Sequence, residues 1–190
     1  MNERTGASDK GLERANRVLA FWRALGREKW FSRDDEIDAE ILQRFLPTYE
    51  AAVAGLLAGW EDTPQSALAL LIVLDQFPRN MFRASARAFA ADAQAREVAG
   101  RALARRFDQT VEPGERGFFY LPLMHSEDIA DQERCVALYQ AAGDEDGLKF
   151  ALIHADIIRR FGRFPHRNAL LGRDTTADEQ AFLAAGGFAG

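Results

Sequence analysis

Arginine and histidine are concentrated in one short stretch of this sequence, residues 153–173, which reads IHADIIRRFGRFPHRNALLGR. Residues 157–173 contain five arginines and no acidic residue, although the whole chain has a formal net charge of −5. Arginine forms paired hydrogen bonds with carboxylate and phosphate groups, and histidine exchanges protons near neutral pH. The stretch therefore predicts a local cationic site for an anionic group.

A second stretch, residues 68–83, has a related pattern and reads LALLIVLDQFPRNMFR. Each stretch runs from an apolar segment into Phe-Pro and then into Arg-Asn and a further arginine. Because proline disfavours the helical conformation of the residue before it, we expect each helix to end near that Phe and a rigid turn to follow. Such turns present functional side chains. We therefore predict that residues 75–83 and 163–173 form two walls of one site.

Asp75 is the most unusual residue of the first stretch. The sequence places this carboxylate at the C-terminal end of a helix that is apolar on every face, where burial and the helix dipole both disfavour it. Such a group needs a cationic partner, and Arg79, Arg83, Arg163 and Arg167 are the candidates. Two interpretations stay open, a buried ion pair that holds the turns in place and a ligand site.

The three histidines have different settings. His125 and His166 lie in predicted turns, where one of them could handle a proton as a general acid or base. His154 lies on the apolar face of a predicted helix, where a histidine is more often part of the core. The candidate catalytic residues are His125, His166 and Asp75, and the candidate ligand-binding residues are Arg79, Asn80, Arg83, Tyr120, Glu127, Gln132, His154, Arg163, Arg167, Asn168 and Arg173. The spacing of these residues matches no metal-ligand motif, so we predict neither a metal nor a cofactor.

Helical patterns account for the elements that must position these residues. Thr63-Pro64 is a strong start signal for a helix that is apolar all round and so must be central. Pro47 is expected to break or kink an earlier helix. Further helices are predicted over residues 13–22, 86–106, 127–142 and 145–161, a brief helix over residues 118–121, and a last one after the capping box of Thr176 and Glu179. No credible strand pair is present, so the predicted fold class is all-α.

Length and composition set the class of protein. The 190 residues predict one domain, residues 1–190, with a core of about 12–185 and a flexible start at residues 1–8. An apolar fraction of 47% with 28% charged residues is typical of a soluble globular protein. The sequence has no apolar run that could span a membrane and no hydrophobic signal region at its start, which predicts a cytoplasmic protein. The negative net charge argues against broad nucleic-acid binding, although a local arginine cluster could still hold a single anion.

Three strings carry a family resemblance: LALLIVLDQFPRNMFR, FFYLPLMHSED and RFGRFPHRNALLGR, with Trp60 and Thr63-Pro64 upstream. Together they closely resemble the bacterial domain-of-unknown-function family 924 (DUF924), over about residues 19–183. The resemblance implies an all-helical array of antiparallel helix pairs, similar to the tetratricopeptide-like superhelices. It implies no established activity, and the chain lacks the tetratricopeptide repeat signature.

Three hypotheses about function follow from the sequence, of which the third and weakest is a structured-RNA binder that uses the arginine turn. The first is a polar pocket that binds a small anionic molecule or a peptide end through its arginines, with action on that ligand and enzymatic activity left open. The second is a protein–protein interaction module, in which the polar motifs are an internal structural network and an aromatic groove with Trp30, Phe31 and Trp60 binds the partner.

Overall fold

The computed structural model describes residues 3–188, with side chains for residues 11–188. Within residues 3–188 the regular structure is helical and contains no strand, which confirms the all-α prediction. The α-helices are α1 (Glu3–Leu25), α2 (Arg27–Trp30), α3 (Asp35–Val53), α4 (Pro64–Leu71), α5 (Phe77–Met81), α6 (Asp92–Ala104), α7 (Gly117–Met124), α8 (Ile129–Ala142), α9 (Glu145–Phe161) and α10 (Ala177–Ala184). Of the predicted flexible start, residues 1 and 2 lie outside the described residues.

The chain forms two compact units. The first unit comprises Met1–Arg83 and Arg87–Phe119, and the second comprises Ala84–Ala86 and Tyr120–Gly190. Each unit has its own buried apolar side chains. The expectation of one domain stays a prediction.

Helix α4 is the centre of the first unit. Thr63 caps its N-terminus by accepting a hydrogen bond from the backbone N–H of Ser66, and Pro64 occupies its first turn. Residues 66–77 are all buried, as expected for a helix that is apolar on every face. Helices α1, α3 and α6 pack around this segment, and Phe77 lies between the rings of Phe21, Trp22 and Phe45.

The prediction of a turn after Phe77 is wrong, because the chain stays helical there. A π-helical segment, Ile72–Gln76, follows α4 and leads directly into α5, whose first turn contains Pro78. Proline has no N–H to donate and is tolerated in the first turn of a helix, where such groups have no helical partner. Asp75 therefore lies in a wide helical turn inside the core and not at the end of a helix.

Pro47 also fails to break its helix. Helix α3 continues from Asp35 through Pro47 to Val53, and Asp34 caps its N-terminus by accepting hydrogen bonds from the backbone N–H groups of Glu36 and Ile37. The buried residues on both sides of the proline hold the two halves of the helix against the core, which outweighs the local preference of proline. Tertiary packing, rather than helix propensity, therefore keeps α3 continuous through Pro47.

The second unit contains a helical hairpin, α8 and α9, joined at Gly143. Gly143 has a φ of 68°, which glycine adopts without steric cost. Asp144 caps the N-terminus of α9. The bounds of α9, Glu145–Phe161, agree with the predicted helix over residues 145–161. After Gly162 the chain passes through a short 3₁₀ turn, Pro165–Arg167, and then into α10, so the turn predicted here is confirmed. Phe164 is fully buried beside Ile157 and Ile158.

Two details bear on partners. Trp60 is only 4% exposed and so cannot line the predicted aromatic groove, whereas Trp30 is partly exposed and Phe31 is 69% exposed, and a groove at these two residues stays a prediction. No helix among the described residues combines the length and apolar character that crossing a membrane would require.

Candidate functional site

The predicted site residues fall into two sets. Asp75, Arg79, Asn80 and Arg83 belong to the first unit. The second unit contains Tyr120, His125, Glu127, Gln132, His154, Arg163, His166, Arg167, Asn168 and Arg173. That the two stretches form one site stays a prediction, and each set is described within its own unit.

Asp75 and Arg79 form a buried ion pair in the first unit. Asp75 is 1% exposed, and its Oδ1 lies 3.4 Å from Nη1 of Arg79. Arg79 also donates to both carboxylate oxygens of Asp92, at 3.1 and 3.2 Å. Burial would lower the pKa of Arg79, but the two carboxylates outweigh it and raise the pKa. This arrangement supports the interpretation of Asp75 as a structural ion pair.

Asn80 and Arg83 bind one further acid of the first unit. Asn80 donates to Oδ1 of Asp38 at 2.8 Å, and Arg83 donates to both oxygens of the same carboxylate through Nε and Nη2. Asp38 lies in the first turn of α3. Sequence reasoning missed Asp38 and Asp92 because no local pattern identifies an ion-pair partner that lies 13 to 45 residues away.

Glu127 and Arg173 form the corresponding pair in the second unit. The carboxylate accepts from Nη1 and Nη2 of Arg173 at 2.7 and 3.0 Å and from the backbone N–H of Phe164 at 2.8 Å. Burial would raise the pKa of Glu127, but these hydrogen bonds and the charges of Arg173 and Arg167 outweigh it and lower the pKa. Arg173 also donates to the carbonyl of Phe164, so the pair fixes both sides of that residue.

Arg163 and Asn168 bind Glu179, which is only 2% exposed. Arg163 donates to its two oxygens at 2.6 and 2.9 Å, and Asn168 donates at 3.2 Å. The predicted capping box at Thr176 and Glu179 is confirmed, since Thr176 donates its backbone N–H to Glu179 and accepts from the N–H of Glu179. The hydrogen bond from Arg163 is the main reason that the pKa of Glu179 falls to about 2. These residues fasten α10 to the turn before it.

Aromatic and imidazole rings surround Phe164, and we call His125, His154, Phe164, His166 and Arg167 the histidine cluster. The Phe164 ring lies 5.5 Å from His154 and 5.6 Å from His166, between ring centroids. The guanidinium of Arg167 lies 4.6 Å from the centre of the Phe164 ring and is 6% exposed. His125 approaches His154 at 6.4 Å. The structure thus brings together all three histidines of the sequence.

His154 is a core residue of the cluster, as its helical position predicts. It is 6% exposed, and its Nδ1 lies 2.8 Å from the carbonyl of Phe150 in the preceding turn of α9. Because a carbonyl oxygen can only accept, Nδ1 carries the proton in this contact. His154 is therefore oriented by its own helix.

His166 has the most perturbed chemistry of the cluster. Its pKa falls from 6.5 to about 4, first because the ring is buried and then because Arg167 is nearby, with smaller contributions of the same sign from His125 and Arg173 and an opposing one from Glu127. The imidazole is therefore neutral at pH 7. Its Nδ1 is buried and makes no hydrogen bond within the described part of the chain. A neutral ring with one unsatisfied nitrogen is suited to bind or to exchange a proton with a small group beside it.

Gln132 and Tyr120 are structural residues of the second unit. Gln132 is fully buried and donates from Nε2 to the carbonyls of Met124 and Ser126 at 2.7 and 2.6 Å. It thereby fixes the backbone on both sides of His125. Tyr120 is buried, and its ring packs edge-on against Tyr139.

An open groove of about 380 Å³ also lies in the second unit. It is lined by Arg160, Phe161, Arg163, Thr176, Asp178 and Glu179. The two arginines are balanced by the two acids, so the groove has no excess of positive charge that would favour an anion. Among the described residues, no group of three or more His, Cys, Asp or Glu side chains is arranged to hold a metal ion.

Comparisons with known proteins support the family resemblance. The model of a family described as a bacterial protein of unknown function (DUF924) matches residues 18–187. The solved structure of a protein of unknown function from Agrobacterium tumefaciens is similar to this chain, with a TM-score of 0.89 and 43% sequence identity, over 92% of this chain and 98% of that chain. A search of curated proteins finds no match. The similarity to tetratricopeptide-like superhelices stays a prediction.

Proposed function

We propose a function for this chain as a member of the DUF924 family, to which it belongs by the match over residues 18–187: its second unit binds a small anionic ligand at the histidine cluster. The ligand is a carboxylate or a phosphate, held by Arg167 and by His166. The observation that carries the proposal is the buried Nδ1 of His166, which makes no hydrogen bond within the described residues and lies near Arg167 and Arg173.

The charges around His166 support this proposal. Arg167 and Arg173 act on the imidazole as positive neighbours, and Glu127 opposes them in the shift of its pKa. Glu127 already accepts three hydrogen bonds, from Arg173 and from the N–H of Phe164. A bound anion would add a negative charge where arginine and imidazole can donate to it, and charge-assisted hydrogen bonds of this kind are strong.

Four arginines of the predicted site contact carboxylates and have a structural role in this proposal. Arg79, Arg83, Arg163 and Arg173 form close contacts with carboxylates of their own unit. We propose that these four position the polar segments, and that Arg167 and His166 bind the ligand. In this proposal His166 is the residue that handles a proton, because an anion beside it would raise its pKa toward neutrality.

Titration of the intact protein with inorganic phosphate and with acetate tests the proposal. A ligand at 100 times its Kd stabilises the folded state by about 2.7 kcal/mol, which corresponds to an increase in Tm of about 5–10 °C for a chain of this size. We expect Arg167→Ala to abolish the ligand-induced increase. Arg159→Ala, at an exposed position of α9, is the matched control and should retain it. An increase that is equal in both variants, or absent in the unmodified protein, would contradict the proposal.

A second candidate function is protein–protein interaction through the first unit. Leu42 and Val53 of α3 are 37% and 46% exposed, and Leu56 is 77% exposed. Leu42 and Val53 are eleven residues apart, about three helical turns, so they lie on the same face of α3. Sedimentation of purified protein tests the form of this candidate that involves a second copy. Dimerisation of the unmodified protein, weakened by Leu56→Ser, would support association with a second copy. A protein that is monomeric at all concentrations would contradict it.

A further inference from the structure

The ring of Phe188, which is not itself part of the histidine cluster, contacts two of the imidazole rings in that cluster. Its ring centroid is 4.5 Å from that of His154 and 5.6 Å from that of His166, in edge-to-face contact with both. The residue is half-buried and packs on the apolar group of Ile157, Ile158 and Phe164. A phenyl ring thus occupies the space in front of the two imidazoles.

The backbone before Phe188 is shaped to place it there. Helix α10 ends at Ala184, and the N–H groups of Gly186 and Gly187 donate back to the carbonyls of Leu183 and Phe182 at 3.2 and 3.0 Å. Gly186 has a φ of 80°, and a Cβ at Gly187 would lie 2.5 Å from the ring of Phe182. Both positions therefore require glycine, one for its conformation and the other for close packing. The turn reverses the chain and directs Phe188 onto the histidines.

We propose that the Phe188 ring is an intramolecular plug of the anion site, and that the natural ligand combines an anionic group with a flat apolar group that replaces this ring. The inference rests on the proposed function. The cluster supplies a polar side, with the guanidinium of Arg167 and the neutral imidazole of His166, and an aromatic side, with Phe164 and His154. Phe188 is held by edge-to-face ring contacts and is only partly buried, so a ligand that makes the same ring contacts and also accepts a charge-assisted hydrogen bond can displace it.

Calorimetric titration with benzoate, acetate and inorganic phosphate tests the plug in the full chain. We expect Phe188→Ala to bind benzoate more tightly than the unmodified protein, by about tenfold if the plugged form is about nine-tenths populated. Acetate and phosphate, which lack the ring, should bind more weakly than benzoate to the variant. Phe150→Ala removes a phenyl ring that is 49% exposed on α9 and is the matched control, for which we expect no change.

The outcomes separate the plug from the proposed function. Equal benzoate affinity in the unmodified protein and in Phe188→Ala would overturn the plug and leave anion binding in place. Absence of binding of all three anions to both proteins would overturn both. Nuclear Overhauser effects between Phe188 and the rings of His154 and His166 provide a test without a variant. Their loss on saturation with benzoate is expected, and their persistence would overturn the plug.

Discussion

Glu179 shows how one carboxylate organises the polar part of the second unit. It accepts hydrogen bonds from Arg163, Asn168 and the N–H of Thr176, although it lies at the third position of an ordinary capping box. A carboxylate that is stabilised in its charged form by such donors has a low pKa. The same residue therefore caps a helix and closes an ion pair, and its ionisation is linked to stability.

We predict that Glu179 makes the protein less stable in acid. Its pKa is about 2 in the folded protein against an ordinary value of 4.5, so between these values the unfolded state binds more protons. The free energy of unfolding should fall as the pH is lowered from about 4.5 to about 2. Glu179→Gln should be less stable than the unmodified protein at pH 7, and most of the difference should disappear by pH 2. Urea unfolding at several pH values measures this.

The control for this prediction is Glu133→Gln, which makes the same change of charge at an exposed position of α8. A pH profile of Glu179→Gln that runs parallel to that of the unmodified protein would show that the carboxylate is not held by Arg163 in solution.

We predict that Glu127→Gln lowers the free energy of unfolding by about 1–3 kcal/mol, because it removes the charged acceptor of Arg173 and weakens the bond from the N–H of Phe164. The Tm should fall by about 2–4 °C for each kcal/mol. Adding Arg173→Met should restore part of the loss, since it removes the charge that lost its partner. Additive losses in the double variant would contradict a direct pair.

Among the helices, the α8–α9 hairpin has the tightest approach of the second unit. A Cβ at Gly147, in the first turn of α9, would lie 2.2 Å from the ring of Tyr139 on α8. Tyr139 is buried against Tyr120, so its ring has little room to move. The absence of a side chain at Gly147 is what lets α9 begin this close to α8.

We predict opposite effects for two glycine-to-alanine changes. Gly147→Ala should cost about 1–3 kcal/mol because the added methyl group overlaps the Tyr139 ring. Gly100→Ala, inside α6, should stabilise by about 0.5–1 kcal/mol because nothing lies within 4 Å of the new Cβ and alanine favours helix. Thermal unfolding of the two variants measures both. A Tm for Gly147→Ala equal to or above that of the unmodified protein would contradict the close packing.

Local signals in the sequence were enough to predict several helices but not the ion pairs. Thr63-Pro64 and the capping box at Thr176 fix helix starts through neighbouring residues, and both predictions are confirmed. Pro47 lies inside a helix because tertiary packing outweighs its local preference, whereas Pro78 lies in the first turn of α5, where proline is tolerated. The acids Asp38 and Asp92 could not be predicted as partners, since a fold and not a spacing brings them to their arginines.

At the scale of the whole molecule, the net charge affects how an anionic ligand is attracted from solution. The chain carries a formal net charge of −5, so an anion approaching from solution is attracted only by a local excess of positive charge. Such attraction is screened beyond about 10 Å at an ionic strength of 0.1 M. We propose that the histidine cluster, where Arg167 is buried near His166, supplies this attraction in the second unit. The family assignment is firm over residues 18–187, and the proposed site lies within that range.

The most direct test is the pKa of His166, measured by nuclear magnetic resonance titration of the imidazole with and without saturating phosphate. We predict a value of about 4 in the free protein, since burial and the nearby charges disfavour the protonated ring. Phosphate bound beside Nδ1 should raise this pKa by more than about 1 unit, because an adjacent negative charge favours the imidazolium. A pKa that phosphate leaves unchanged would contradict the proposed anion site.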